Sequence, residues 1–275
     1  MQFCKNLTMF YDPRDGPLEL PSALRYLVGH RKYEIVWVNQ LGGLALFVSD
    51  ISSHLFLKWM PVRSGIDLNV EAEKLRWAST FTPVPRVVDR GSDEEGTWLL
   101  MEAISAQNAA SPLWRREPLM ATAALGEGLR AMHDVLPVSE CPFTWSAEER
   151  GASVRRRVES GELARIEPSD WNREFSTLPL DSAVAELSDI PSEDLVVCHG
   201  DACVPNTLID EHGRWTAHVD LGSLGVGDRW ADLAVASWST VWNFGPGWEA
   251  NVFSSYGIEP DDEKIRYYRL LWELD

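Results

Sequence analysis

The sequence predicts an α+β chain in two unlike parts, a small antiparallel sheet followed by a larger, mainly helical region. Three observations carry this expectation. Short apolar or alternating runs, bounded by turn residues, fill about the first hundred positions. A small polar stretch at 102–112 (EAISAQNAASP) then interrupts the pattern. Beyond it apolar residues recur at helical spacing, and strands that precede helices argue against alternating βα units.

The elements follow in order. Strands are expected at 33–38 (YEIVWV), 44–49 (LALFVS) and 54–60 (HLFLKWM), a meander whose turns are Asn39-Gln40-Leu41-Gly42-Gly43 and Ser49-Asp50. From Leu68, the placement of Val70, Lys74, Leu75, Trp77 and Ala78 predicts a helix ending near Thr80, where Pro83 and Pro85 stop it. Two further strands, 86–89 and 97–101, are joined by the polar GSDEEG. Helices are expected at 119–133, 154–165 and 182–187, and short apolar runs at 195–198, 207–209 and 216–219 flank polar clusters. The division expected is therefore 1–101, a connection at 102–107, and 108–275.

Charge and composition exclude several roles. The chain has 275 residues and a net charge of −17, which opposes a dominant role in binding nucleic acid or an anionic membrane. The acid is uneven: residues 1–107 hold 11 basic and 13 acidic side chains, residues 108–275 hold 14 and 29. Such an acidic second part suits a cationic ligand. The longest apolar stretch, 41–48, falls far short of the ~18 residues needed to span a bilayer, which points to the cytoplasm. Cys4, Cys141, Cys198 and Cys203 are too few for a disulfide scaffold, so reduced thiols are expected. Cys198, His199 and Cys203 lack the second ligand pair of a zinc site. No feature sets an oligomeric state.

The chemistry concentrates in residues 195–222 (LVVCHGDACVPNTLIDEHGRWTAHVDLG). His199-Gly200-Asp201 is followed five positions later by Asn206, the spacing of the H-R-D-x-x-x-x-N loop of kinases, and Asp220-Leu221-Gly222 stands where D-F-G would. Phosphoryl transfer needs a carboxylate beside the attacking hydroxyl and hard oxygen ligands for Mg²⁺. A loop between strands presents Asp201 and Asn206 together, with Asp220 entering from the next turn. Any one of these residues alone would read as a turn or cap; the three in order point to a phosphotransferase site. The same template asks for a strand lysine paired with an acid, because a buried ammonium needs a partner. Lys58 is the lone cation in LFLKWM. Glu71 and Glu73 lie two apart on the next helix, so only one faces it, and Glu73 is the expected partner. Asn39–Gly43 lies where a phosphate-covering loop would be but reads by itself as a hairpin turn.

Taken together, HGDACVPN, DLG and GVGDRWADLA resemble the aminoglycoside phosphotransferases, most closely the 3′-type kanamycin kinases. VEAEKLRW after Lys58, LLMEA, CPFTW and the terminal IRYYRLLWELD are similar to family segments in the same order, so the resemblance covers residues 33–275. It implies a two-lobed, protein-kinase-like fold: an N-lobe at 1–101, a hinge at 102–107, and a C-lobe at 108–275 carrying the catalytic loop and an acidic substrate site. ATP–Mg²⁺ would lie between the lobes.

Residue by residue, the resemblance makes Asp201 the group that acts on the substrate hydroxyl. Asn206 and Asp220 become Mg²⁺ ligands, and Lys58 and Glu73 the nucleotide-contacting pair. It places adenine against the backbone of Glu102, Ala103 and Ile104. Glu273, the terminal Asp275, Asp170 and Glu174 become contacts for the drug's amines. Asp228 and Asp232, four apart, are read as a helix cap and a brace for the catalytic loop, and His199 as structural. Trp37, Trp59 and Trp77 fall on apolar patterns and read as core, leaving Trp272 as the ring-contact candidate. The implied reaction moves the γ-phosphoryl group of ATP to the 3′-hydroxyl of a kanamycin- or neomycin-type drug, weakening a cation that targets RNA and so conferring resistance. Two alternatives stand beside it: a same-fold kinase for another alcohol (a streptomycin-type drug, a macrolide or a metabolite), and a catalytically silent nucleotide- or drug-binding protein. Retention of Lys58, Asp201, Asn206 and Asp220 together speaks against the second.

Overall fold

The structure, a computed structural model, describes residues 18–51, 53–163 and 172–275. The chain divides into two compact units. One ends at Ser105 and takes in Val219–Gly222; the other comprises Ala106–His218 and Ser223–Asp275.

In the first unit, helix α1 (Ser22–Val28) precedes strands β1 (Lys32–Val38), β2 (Leu44–Ser49) and β3 (His54–Pro61), helix α2 (Leu68–Ala78), and strands β4 (Val87–Ser92) and β5 (Gly96–Glu102). The strands form one antiparallel sheet in the order β1-β2-β3-β5-β4. Alternation along β2 and β3 puts Leu44, Leu46 and Val48 with Leu55, Leu57 and Trp59 in one core, closed by Leu24 and Val28 of α1. The period of two therefore turns Lys58 to the opposite face, where its register neighbours are Ala45 and Leu99. The Asp67 carboxylate caps α2 by accepting from Asn69 N at 2.9 Å. The short α1 was outside the sequence reading; it follows Pro21 with no side-chain cap and shows only two buried positions.

In the second unit, β6 (Gln107–Asn108) leads to the long α3 (Pro118–Val135), then α4 (Ala147–Glu159), α5 (Leu180–Glu186), β7 (Leu195–Cys198), β8 (Thr207–Ile209), β9 (Trp215–His218), β10 (Gly225–Asp228), α6 (Arg229–Phe244), α7 (Glu249–Tyr256) and α8 (Asp262–Leu274). Two small sheets, β6-β8-β9 and β10-β7, carry the polar loops, and α3 packs on α7 while α6 packs on α8. The helix expected at 154–165 begins instead at Ala147 and ends at Glu159. Its start was written in Ser146-Ala147-Glu148-Glu149, a Ser-x-x-Glu signature, and Ser146 Oγ accepts from Glu149 N at 3.3 Å. No helix among the described residues is long and apolar enough to cross a membrane.

The contact of α3 with α7 depends on a missing side chain. A Cβ on Gly126 would lie 2.4 Å from the Val252 carbonyl oxygen, a backbone atom that has no rotamer to yield. Gly126→Ala is expected to destabilise the protein by about 1–3 kcal/mol, as overpacking does. A urea titration checks this, with the midpoint falling and the slope unchanged.

Candidate active site

Chemistry-bearing residues occur in both units. In the first, the Lys58 ammonium lies 2.7 Å from Glu71 Oε1 and 2.9 Å from Asp220 Oδ1. Burial alone would lower the pKa of Lys58, but Asp220 and Glu71 outweigh it and hold the group above the ordinary lysine value, so it stays charged. Asp220 keeps part of its carboxylate in solvent, at 40% exposure, and at φ 67° is the one non-glycine with positive φ among the described residues. A left-handed conformation at a residue with a Cβ costs of order 1–3 kcal/mol and recurs at functional sites. Lys74 Nζ donates to Gly222 O at 2.8 Å and holds the same turn, a role no sequence signal had singled out beyond a lysine on an otherwise buried helix face.

The expected Lys58–Glu73 pair is corrected by this geometry. Glu71 is buried at 4% exposure and takes the lysine, while Glu73 points away and pairs with Arg90 at 3.1 Å. Residues two apart on a helix differ by about 200° in direction, and the rotation of α2 on the sheet selects Glu71.

In the second unit, β7 runs into His199-Gly200-Asp201, and a 3₁₀ turn at Val204–Asn206 leads into β8. Asp201 is 6% exposed and Asn206 8%. Asn206 Nδ2 donates to the Asp201 carbonyl at 2.9 Å and approaches Asp201 Oδ2 at 3.4 Å. That bond uses the amide's donor end within the loop, and its oxygen can only accept or coordinate. Gly200, at φ 84°, permits the reversal, and a Cβ there would lie 2.4 Å from Ser223 O.

The brace behind the loop is Asp232, fully buried on α6. Its oxygens accept from His199 N at 2.6 Å and Gly200 N at 2.8 Å, and His133 Nε2 lies 2.9 Å away. Burial alone would raise its pKa, but His133 and the Gly200 amide outweigh it and hold the carboxyl below its ordinary value. Asp228 caps α6 through Trp230 N at 3.1 Å and meets Lys264 at 3.0 Å. Cap and brace are the structural roles expected of this pair. His199 is fully buried, its Nδ1 accepting from Asp201 N at 3.2 Å. Cys141 and Cys198 form no disulfide, and Cys203 Sγ lies 3.1 Å from Asp201 Oδ1.

Three amides of the Asn39–Gly43 turn are spent inside it: Asn39 N on Gly43 O, Gly42 N on Asn39 O, and Gly43 N on Asn39 Oδ1 at 2.6 Å. At the end of β5, Glu102 N and Ala103 N donate to Arg86 O and His54 O, both at 2.9 Å, and the exposed Glu102 carboxylate pairs with Arg86. Of the expected drug contacts, Asp170 lies outside the described residues. Glu174 pairs with Arg269 at 3.2 Å and Asp275 with Arg150 at 2.8 Å, and Glu273, largely buried, accepts from Asn172 N at 3.2 Å. Trp272 is 2% exposed and is core, not a surface platform.

Among the described residues, no group of three or more His, Cys, Asp or Glu side chains is arranged to hold a metal ion. Mg²⁺ bound through a nucleotide needs only one or two protein ligands, since phosphates and water complete its shell. The part-exposed Asp220 carboxylate and the Asn206 oxygen are hard donors of that kind.

Residues 48–268 match the phosphotransferase enzyme family. The chain belongs to that family. This phosphotransferase is 37% identical over 224 residues to an aminoglycoside 3′-phosphotransferase of Streptomyces fradiae, covering 78% of this chain and 82% of the relative. It is 34% identical over 271 residues to one of Streptomyces ribosidificus, covering 93% and 100%. Among solved structures it is similar to a type VIII aminoglycoside 3′-phosphotransferase, at TM-score 0.80 and 32% identity over 92% of this chain and 97% of that one. A Streptomyces rimosus aminoglycoside phosphotransferase in complex with ADP and streptomycin follows at TM-score 0.72 and 27% identity, over 91% and 95%. The protein-kinase-like α+β fold and the family implied by HGDACVPN and DLG both hold.

Two predictions follow from these contacts. Glu71→Gln lowers kcat/KM for the nucleotide by about ten-fold or more, while Glu73→Gln stays within about two-fold, because only the first strips a buried lysine of its partner. Steady-state kinetics with varied ATP checks the pair. Burial first, then the neighbouring His199, depresses the pKa of His218 to about 3. Between pH 6.5 and 3 the unfolded chain binds this proton and the folded one does not, so stability rises with pH across that window. From pH 6.5 down to 5 this one group removes about 2 kcal/mol, at ~1.4 kcal/mol per pH unit. Urea midpoints of His218→Gln are expected to show a correspondingly shallower acid slope.

Proposed function

We propose that this phosphotransferase transfers the γ-phosphoryl group of ATP to the 3′-hydroxyl of a kanamycin- or neomycin-type aminoglycoside in the cytoplasm, and that it thereby confers resistance. The observation that carries the reading is the catalytic loop: Asp201 held by Asn206 and, through the neighbouring amides, by Asp232. A free alcohol has a pKa far above 7, so Asp201 orients the hydroxyl and accepts its proton late, as the new P–O bond forms and the bond to ADP breaks.

The remaining roles are assigned to residues on the same grounds. Lys58, kept charged by Glu71, binds the nucleotide phosphates. With the Glu102 and Ala103 amides already used, the hinge offers adenine the Ile104 N–H. Asn206 and Asp220 would hold Mg²⁺, which would supply positive charge to offset the charge that develops during transfer. Glu273, Asp275, Glu174 and Asp170 provide the acidic surroundings that suit a polyamine. Arg150 and Arg269 already occupy two of these carboxylates.

Product mass after incubation of kanamycin, neomycin and streptomycin with ATP and Mg²⁺ tests the reading, with Asp201→Ala beside the wild type. Kanamycin is expected to gain one phosphate, and the variant to lose about 10³-fold or more of the rate. Phosphate on streptomycin alone would retain the catalytic residues and remove the 3′ assignment. No phosphate on any drug, from a folded protein that binds ATP, would sink the aminoglycoside reading.

A further inference from the structure

The far end of α6 carries a cluster of indoles. Trp238 and Trp242, one helical turn apart, have ring centroids 5.2 Å apart, and Trp272 of α8 lies 6.0 Å from the first and 5.6 Å from the second. Trp238 and Trp272 are buried, at 4% and 2% exposure, while Trp242 is only partly buried. Two indoles thus back a third, fixing its orientation before any ligand arrives.

The cluster is tied to the catalytic loop on one side. Ser239 Oγ accepts from Val204 N at 2.9 Å, three residues after Asp201, and from Asn243 Nδ2 at 3.2 Å. Ser239 and Trp242 stand three apart on α6 and so on neighbouring strips of its surface. On the other side, Trp272 immediately precedes Glu273 on α8. The partly buried indole therefore belongs to the stretch that links the loop of Asp201 to the carboxylate assigned to the drug's amines.

We propose that Trp242 is a specificity-determining residue whose ring packs on the C–H face of a protonated amino-sugar or aminocyclitol ring. The inference rests on the aminoglycoside reading above and adds the source of shape selection to it. Carboxylates attract cations of any shape, whereas an indole face selects a flat, C–H-lined ring with ammonium groups at its edge. Those C–H groups carry partial positive charge from the neighbouring ammonium and meet the negative face of the ring, as in a cation–π contact. Pre-packing by Trp238 and Trp272 removes most of the ordering cost that a free indole would bring to binding.

Two readouts on Trp242→Phe and Trp242→Leu test this, with kanamycin and streptomycin as probes: KM for drug and for ATP, and the drug-induced change in tryptophan emission at equilibrium without ATP. Trp242→Leu is expected to raise the drug KM about ten-fold with KM for ATP within about two-fold, and Trp242→Phe to retain most of the affinity. The emission change seen in the wild type should disappear in both variants. An unchanged drug KM in a Trp242→Leu protein of near wild-type Tm overturns the proposal. So does a wild type without an emission change, or a Trp242→Phe variant that keeps one. Because emission needs no turnover, a Trp242-dependent change without phosphate transfer would leave the indole contact standing while the proposed reaction falls.

Discussion

A buried carboxylate, Asp232, governs the catalytic loop. Two adjacent backbone amides, His199 and Gly200, both point at its oxygens, and β7 ends there because its next donors are taken out of the sheet. Both amides and the imidazole of His133 converge on this buried carboxylate and together favour its ionised form. His133 in turn meets the Tyr256 hydroxyl at 2.8 Å, so α3, α6 and α7 all converge behind Asp201. The helices of this unit thus act as a rigid backing for a loop of a few residues, which is what precise positioning of a reacting hydroxyl demands.

The Lys58 cluster solves a different electrostatic problem. A lysine turned from the core face of a central strand would otherwise lose its charge to burial, and one carboxylate from α2 and one from the Val219–Gly222 turn prevent this. The turn is also held through Gly222 O by Lys74, so two lysines position the segment that carries Asp220. The strained φ of Asp220 is the local cost of aiming its carboxylate from so short a turn.

The acidity of residues 108–275 does not translate into an equally acidic set of free side chains. Arg150, Arg157 and Arg269 neutralise or cap much of the C-terminal region, through Asp275, the Leu274 carbonyl and Glu174 respectively. Near the end of α8 the largely buried Glu273 follows Trp272, whose ring packs on Trp242.

Sequence alone determined what local rules control. Alternation placed β2 within its observed bounds and β3 to within a residue, and it turned Lys58 away from the core. Spacing along the chain singled out Asp201 and Asn206, which one short loop between strands brings into hydrogen-bond contact, and Asp220, which pairs with Lys58. Asp228 and Asp232, four apart, were legible as cap and brace. Tertiary structure alone decided the rest. Glu71 and not Glu73 meets Lys58 because the rotation of α2 on the sheet, invisible in its own sequence, selects the face. Trp272 is buried and Trp242 only partly so because α8 packs the Trp272 indole against α6. Glu174 and Asp275 are engaged by arginines distant in sequence. In each case the choice depends on which residues remote along the chain arrive at the same place, and no local pattern encodes that.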